Sequence, residues 1–259
     1  MPVYKNDYPI LEYDTSQDGI IISNRHGRAK IPERCLMTFF AEVLEDFVEK
    51  YNAVEINYFG SEIPRRSQIY KTEYKGIEIG LIQASVGSAS IATKTDFLIG
   101  YGVTKLIVCG GCGVLADIPA GDVIIPVSAL RDEGASYHYL PPSREILLDK
   151  NIIDLIKQTL EEFHTPYIEA KTWTTDAIYR ETPDMITYRK EEGCTVVEME
   201  CASIAAVAQF RDIQFGQLLY SGDILTDFEN YDERGWTKNL TAREKLFYLS
   251  LETLIKMQV

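Results

Sequence analysis

The pattern with the clearest chemical potential is a pair of glutamates, Glu198 and Glu200, on either side of Met199. A strand-like run, residues 195–197, precedes the pair, and a small-residue helical pattern, residues 201–206, follows it. Burying an unpaired carboxylate costs several kcal/mol, so these positions suggest a cleft whose ligand donates hydrogen bonds. Vicinal sugar hydroxyls are such donors, and a flexible thioether packs well against a sugar face. Two exposed or ion-paired carboxylates on one strand face are the alternative that the local sequence leaves open.

Three further stretches carry polar or small residues directly after a predicted strand: residues 109–113 (CGGCG), 174–179 (TTDAIY) and 221–225 (SGDIL). Strand and helix patterns alternate along most of the chain, which indicates a mainly parallel sheet with helices on both faces. Ligands of such sheets bind at the carboxyl ends of the strands. Asp223 therefore becomes a candidate acid, although an aspartate that caps a turn is the commoner role for this residue type at such a place.

The elements that must position these residues are visible as apolar periodicity. Strands are predicted at residues 76–85, 104–113, 120–130, 167–175 and 214–225, and helices at 89–102, 149–163 and 240–257. Asp149 is the expected N-cap of the second of these helices, and Thr241 with Glu244 offers a capping box for the last. Residues 70–80 resemble a hairpin, so some antiparallel pairing is expected. We interpret residues 1–259 as a single domain.

Composition narrows the classes of function. The chain has 259 residues, 46% of them hydrophobic, and a net charge of −13, which argues against nucleic acid and anionic membranes as partners. No apolar run reaches the roughly 18 residues of a membrane span, and the polar N-terminus lacks a signal-peptide pattern, so a cytoplasmic location is expected. Five cysteines and three histidines favour neither a disulfide framework nor a multi-histidine metal site. We interpret the Cys-Gly-Gly-Cys run as small residues at a strand end.

Three segments together resemble one family. Residues 196–208 (VVEMECASIAAVA), the segment that begins LIVCGGCG at 106–113, and residues 221–225 (SGDIL) resemble motifs of the nucleoside phosphorylases, a family containing bacterial hexameric purine nucleoside phosphorylase and uridine phosphorylase. The similarity covers about residues 69–258. It implies a three-layer α/β/α fold around a mixed, partly barrel-like sheet, and a homo-oligomer, either a dimer or a hexamer. It also implies cleavage of an N-glycosidic bond through a ribosyl cation-like transition state, without a cofactor.

The resemblance assigns roles at the sugar and at the leaving group. Glu200 matches the glutamate that holds the ribose 2′- and 3′-hydroxyls, Met199 the methionine beneath the sugar, and Glu198 a neighbouring carboxylate. Asp223 matches the aspartate that protonates a purine at N7, and Arg234 matches the arginine that assists it. A positioned acid of this kind typically contributes about 10²–10⁴-fold to the rate.

The match is weaker at the base. The residues that match the family's base-contacting positions are Cys112, Gly113, Ile178 and Tyr179. Uridine phosphorylases read the uracil edge with a glutamine and an arginine just beyond this segment, and Thr182 and Asp184 stand near those places. The absence of that arginine, together with Asp223, favours purines.

The phosphate site departs most from the family. Of the family's P-G-D-P-x-R segment only Arg28 is matched, and Val108 and Gly111 replace an arginine and a hydroxyl residue. Backbone N–H groups around Gly111 remain possible donors. Arg65 or Arg66 matches an arginine that the neighbouring subunit donates, and adjacent guanidinium groups suit an oxyanion. A solvated pair of loop arginines is the alternative.

The leading prediction is a purine-preferring nucleoside phosphorylase that converts a nucleoside and phosphate to free base and ribose 1-phosphate. Within the family, uridine phosphorylase is one alternative. A nucleosidase that uses water is another, favoured by the missing phosphate arginine. A protein that binds nucleosides without turning them over is a fourth hypothesis, against which the presence of Asp223 and Arg234 argues.

Overall fold

The computed structural model describes residues 4–24, 27–60, 66–227 and 231–258. The described strands are β1 (Arg34–Thr38), β2 (Val54–Phe59), β3 (Ser67–Tyr74), β4 (Ile77–Gln83), β5 (Lys105–Val114), β6 (Val123–Asp132), β7 (Glu145–Leu147), β8 (Tyr167–Thr175), β9 (Cys194–Glu198) and β10 (Gln214–Ile224). The described helices are α1 (Ala41–Lys50), α2 (Ser88–Gly100), α3 (Lys150–Glu162), α4 (Pro183–Glu191), α5 (Cys201–Phe210) and α6 (Leu240–Lys256). None of these helices is both long and apolar enough to cross a lipid bilayer.

All ten strands belong to one mixed sheet. Its order is β10-β6-β8-β9-β5-β1-β4-β3-β2, with β7 paired to β6. A further pairing joins β5 to β10 and closes β5, β9, β8, β6 and β10 into a barrel. Helices α1, α3 and α6 pack on one side, and α2 and α5 pack together on the other. The predicted three-layer α/β/α fold with a mixed, partly barrel-like sheet is confirmed.

Strand β5 lies at the junction of the flat and closed parts of the sheet. It pairs with β1 and β10 in parallel and with β9 antiparallel, and it is buried along its length except at Gly111. A strand covered on both faces has no polar side, which explains its unbroken apolar sequence. A Cβ atom at Gly110 would lie 2.7 Å from the Phe39 ring, so the aromatic ring at the end of β1 requires a glycine there.

Several element predictions are confirmed. Strand β8 spans the predicted residues, β3 and β4 form the predicted antiparallel hairpin, and the Asp149 side chain accepts a hydrogen bond from the N–H of Asn151 at 2.8 Å at the start of α3. The predicted capping box of α6, formed by Thr241 and Glu244, is wrong. The helix begins at Leu240, and the Asn239 side chain accepts from the N–H of Ala242 at 3.2 Å, so Thr241 already lies inside the first turn.

Candidate active site

A cavity of about 370 Å³ opens where β5, β9 and β10 end. Its apolar wall consists of Phe39, Phe40, Val86, Val197, Met199, Leu219, Leu225 and Trp236. Its polar side chains are Glu181, Glu198, Glu200, Gln217, Asp223 and Arg243. Strands β1, β5 and β10 are parallel, so their carboxyl ends share one edge of the sheet. The end of β9 reaches the same place because β9 pairs antiparallel with the last residues of β5.

Glu198, the last residue of β9, is buried and fully bonded to the protein. Its Oε1 accepts hydrogen bonds from the hydroxyls of Thr172 and Thr174, at 3.1 and 2.6 Å. Its Oε2 accepts from the N–H groups of Glu200 and Cys201, at 2.7 and 2.6 Å. Burial raises the pKa of Glu198, and these hydrogen bonds oppose the rise. Because four protein donors already bind the carboxyl of Glu198, we expect it to position neighbouring residues rather than to bind a ligand directly.

Glu200 stands at the N-terminus of α5 and faces the cavity. Its Oε1 accepts a hydrogen bond from the N–H of Gly87 at 2.6 Å. Gly87 precedes α2 with φ of +93°, a conformation that side-chain-bearing residues rarely adopt. Burial, and next the charge of Glu198, raises the pKa of Glu200 to about 8. The glutamate that resembles the family's ribose ligand is therefore a buried carboxyl at the cavity wall, able to bond to hydroxyl groups.

Asp223 also lines the cavity, near the end of β10. The hydroxyl of Tyr231 donates a hydrogen bond to its Oδ2 at 3.0 Å. Arg234 was expected to assist Asp223, but its guanidinium donates instead to the carbonyl oxygens of Gly222 and Ile118. Arg234 therefore connects to β10 and to the segment after β5, and among the described residues Tyr231 is the hydrogen-bond partner of Asp223.

Glu181, the fourth carboxyl group in the cavity wall, was not predicted from the sequence. It follows a short 3₁₀ turn, Ile178–Arg180, ahead of α4. Burial, and next the charge of Asp223, raises the pKa of Glu181 to about 7. Its place in the cavity wall beside residues of β10 depends on the tertiary fold, which no local pattern predicts.

Of the four residues predicted to contact the base, three line the cavity and one does not. Cys112, Gly113 and Ile178 line the cavity. Tyr179 does not: its side chain is 96% exposed. Successive residues of a tight 3₁₀ turn point in different directions, and here Ile178 takes the side that faces the cavity.

Of the residues predicted to bind phosphate, only some lie at the cavity. Gly111 lines the cavity, but Arg28 lies elsewhere, with its guanidinium 3.9 Å from the centre of the Tyr58 ring and a hydrogen bond to the Tyr58 carbonyl oxygen at 2.7 Å. The reason is connectivity: β1 begins after Arg28, and its carboxyl end brings residues 39 and 40 to the cavity. Arg66 lies over the same Tyr58 ring, at 4.3 Å. Arg65 lies outside the described residues.

Arg243, in the first turn of α6, is the cation among the described residues that line the cavity. It forms an ion pair with Glu42 and donates to the hydroxyl oxygen of Tyr220 at 3.3 Å. Its guanidinium lies 5.4 Å from the centre of the Phe40 ring. The sequence did not single out Arg243, because a lone arginine at the start of a closing helix has no distinguishing pattern.

The Cys-Gly-Gly-Cys run is structural. Cys109 and Cys112 are free and buried, and burial raises the pKa of both thiols, that of Cys109 to about 12. A buried thiol with a raised pKa is a poor nucleophile and a poor metal ligand. Within the described ranges, no cluster of three or more histidine, cysteine or acidic side chains has metal-binding geometry.

With this geometry established, comparison with known proteins identifies the family. A sequence model described as "Phosphorylase superfamily" matches residues 33–254. The chain belongs to this superfamily. The match starts at β1, well before the residue 69 at which the sequence motifs begin, so the first βαβ segment is part of the superfamily domain.

Individual relatives in the phosphorylase superfamily are distant. The chain is 26% identical over 161 residues to guanosine phosphorylase of Halorubrum lacusprofundi, a match that covers 60% of this chain and 64% of that protein. It is 24% identical over 217 residues to purine nucleoside phosphorylase of Plasmodium vivax, covering 81% and 87%. The crystal structure of uridine phosphorylase from Vibrio fischeri ES114 has the same fold, with a TM-score of 0.74 at 20% identity, covering 92% and 95%. The chain is thus an enzyme of the nucleoside phosphorylase and nucleosidase superfamily.

Proposed function

We propose that this enzyme transfers the ribosyl group of a purine nucleoside to phosphate, giving free base and ribose 1-phosphate. The observation that carries the proposal is that Glu200 and Asp223 lie in the wall of one cavity. The two carboxyl groups suit the two ends of a nucleoside. No cofactor is required, because the bond that breaks already has a stabilised sugar cation on one side and a protonatable base on the other.

At the sugar, Glu200 accepts hydrogen bonds from the 2′- and 3′-hydroxyls, and Met199 packs beneath the ring. Glu198 acts through its neighbours: by binding the N–H groups at the start of α5 it fixes the position of Glu200. Hydrogen bonds that hold the sugar in its reactive geometry contribute by orientation.

At the base, Asp223 donates a proton to N7 as the bond between C1′ and N9 breaks. The bonding electron pair stays with the base, which leaves as a neutral purine, and an oxygen of the acceptor bonds to C1′. Cys112, Gly113 and Ile178 form the surface on which the base lies.

The acceptor would bind through Arg243. A guanidinium held at the rim of the cavity by Tyr220 can exchange its partner Glu42 for a phosphate oxygen. The raised pKa values of Glu181, about 7, and Glu200, about 8, reduce the negative charge of the cavity near neutral pH. This favours the entry of an anion that four ionised carboxylates would repel.

Water is the second candidate acceptor. Val108 is fully buried where family phosphorylases have an arginine, and Phe39 packs against Gly110 at the neighbouring strand end. These apolar side chains provide no charge for a dianion. With water, the oxygen bonds to C1′ and the released proton replaces the one that Asp223 gave to the base.

Product analysis with and without phosphate tests the proposal. Adenosine, inosine and uridine are incubated with the enzyme, and the sugar product is identified. We expect ribose 1-phosphate from a purine nucleoside, with a KM for phosphate that rises at least about tenfold in Arg243→Gln. Lys245→Gln, an exposed position of the same helix, should leave that KM unchanged.

Three results would overturn parts of the proposal. Free ribose formed at a rate indifferent to phosphate would identify a nucleosidase. Uridine cleaved faster than every purine nucleoside would reverse the choice of base. Binding of nucleosides without any cleavage would leave a binding protein.

We further propose that the enzyme is a cytoplasmic homo-oligomer, a dimer or a hexamer of single-domain chains, in which Arg65 or Arg66 reaches the site of a neighbour. Arg66 lines no part of its own chain's cavity, which is compatible with such a role. Co-expression of Glu200→Ala chains with Arg65→Ala, Arg66→Ala chains tests it. If sites are shared, the mixture regains activity that neither variant has alone; an active monomer in light scattering would contradict it.

A further inference from the structure

Glu181 and Asp223 come from different parts of the chain and line the same cavity. The charge of Asp223 is one of the two influences that raise the pKa of Glu181, and both carboxyls act on Tyr231, whose hydroxyl donates to Asp223. Within the described part of the chain, no hydrogen bond to the Glu181 carboxyl accompanies these charge effects.

The chemistry of a purine determines what a neighbour of Asp223 would meet. N7 and the substituent at C6 lie next to each other on one edge of the base. If Asp223 serves N7, as the proposed function requires, then a second cavity-facing carboxyl beside it is within reach of the C6 substituent. In adenosine that substituent is an amino group, and in inosine or guanosine it is a carbonyl oxygen.

We infer that Glu181 is a specificity-determining residue, which hydrogen-bonds the C6 substituent and makes the site prefer 6-aminopurine nucleosides to 6-oxopurine nucleosides. This inference rests on the proposed role of Asp223 in that site. It assigns a function to a carboxyl group that the cleavage reaction itself does not use.

The reason is the protonation state of Glu181. An ionised carboxyl only accepts hydrogen bonds, so Glu181 without a proton bonds to a 6-amino group. The O6 atom of a 6-oxopurine is itself an acceptor, so Glu181 must carry a proton to bond to it.

The preference should consequently weaken as the pH falls and Glu181 becomes protonated. The titratable groups around Glu181 are Asp223 of β10 and Tyr231, which follows it in the chain, and the charges of Asp223 and Arg234 also act on the Cys112 thiol of β5. Burial raises the pKa of Tyr231 to about 12 and that of the Cys112 thiol, so neither loses its proton between pH 5 and 9. We assign the pH dependence of the preference to Glu181, whose pKa is raised to about 7.

The test measures kcat/KM for adenosine and inosine, and the Kd of free adenine and hypoxanthine, at about pH 5.5 and about pH 8.5. At the higher pH we expect a preference of about tenfold or more for the 6-amino compounds, falling towards parity at the lower pH. Glu181→Gln, whose amide can offer either a donor or an acceptor, should lose both the preference and its pH dependence while it still cleaves purine nucleosides. Glu191→Gln, at an exposed position of α4, should behave as the unaltered enzyme.

The outcomes separate this inference from the proposed function. If purine nucleosides are cleaved but inosine is preferred at pH 8.5, or Glu181→Gln leaves the preference unchanged, Glu181 does not read the C6 substituent and the proposed function stands. If no purine nucleoside is cleaved and neither free base binds, the proposed function fails and this inference fails with it.

Discussion

The N–H of Glu200 donates a hydrogen bond to Oε2 of Glu198 at 2.7 Å, so the first glutamate of the Glu-Met-Glu segment holds the second in place. The next N–H, that of Cys201, donates to the same oxygen at 2.6 Å. Glu198 thus binds the free N–H groups at the start of α5, the task that a capping residue usually performs. The two carboxyls have different roles: Glu198 faces the protein, and Glu200 is presented to the cavity.

Replacing Glu198 with Gln should destabilise the fold and lower activity together. The new amide NH₂ would face hydroxyl or N–H donors where a carboxylate oxygen now accepts. One or two buried donors would lose their partner, which costs about 1–3 kcal/mol each. Urea denaturation of Glu198→Gln measures the loss, with Glu244→Gln at an exposed position as the control. Unchanged stability would mean that the four hydrogen bonds contribute little.

Glu200→Ala should lower kcat/KM for a ribonucleoside by about a hundredfold or more, because two sugar hydroxyls lose their acceptor in the transition state. The loss should be clearly smaller for the matching 2′-deoxynucleoside, which lacks one of the two hydroxyls. Steady-state kinetics of both enzymes on both substrates forms a double-mutant cycle. Equal losses on the two sugars would show that Glu200 does not touch the 2′-hydroxyl.

Asp223→Asn should retain most of the affinity for a purine nucleoside and lose about 10²–10⁴-fold in kcat, because an amide keeps the shape of the acid without its proton. A nucleoside methylated at N7 already has a positively charged base and needs no proton there. The variant should therefore cleave 7-methylinosine at a rate close to that of the unaltered enzyme. Failure of this substrate to restore the rate would place the acid elsewhere.

Tyr231→Phe tests the same proton transfer with a smaller change to the site. It removes the hydrogen bond that orients Asp223 but leaves the carboxyl in place. We expect a loss of kcat smaller than that of Asp223→Asn, with the same recovery on the N7-methylated substrate. A loss that the methylated substrate does not restore would assign Tyr231 a role outside base protonation.

The free energy of unfolding should fall as the pH rises from about 5 to about 7. Lys94, whose pKa burial lowers to about 8, acts in the opposite direction only above this window. In the folded protein the pKa values of Glu181 and Glu200 are raised from 4.5 to about 7 and about 8. In this window the folded state keeps protons that the unfolded chain has lost, and the resulting stabilisation disappears as the pH passes through the raised values. Glu192, whose pKa the hydrogen bond from Arg144 lowers to about 2, acts only below this window.

Urea denaturation at several pH values measures this slope. Glu200→Gln removes one of the two titrations and should flatten the slope. A free energy of unfolding that rises with pH over the same range would show that Glu200 is ionised in the folded protein without cost.

Local patterns in the sequence determined that a sheet has helices on both faces, and they placed the Glu-Met-Glu segment at the end of a strand. Strands β5, β8 and β10 could be predicted because buried parallel strands show unbroken apolar runs, and Asp149 because an N-cap is a local feature. No strand or helix was predicted before residue 69. Arg28 was assigned to the phosphate site by resemblance to a family segment, but β1 begins after it, and Phe39 and Phe40 line the cavity.

Only the tertiary structure decided which side chains meet. Glu181 and Asp223 are forty-two residues apart, and Arg243 reaches the same cavity from the first turn of the last helix. The two neighbouring glutamates also acquired different roles through Thr172, Thr174 and Gly87, which lie far from them in sequence. Periodicity reports which face of an element is buried, because burial repeats along the element. The partner across a cavity depends on how strands are ordered and closed into a barrel, and that order leaves no periodic trace in the sequence.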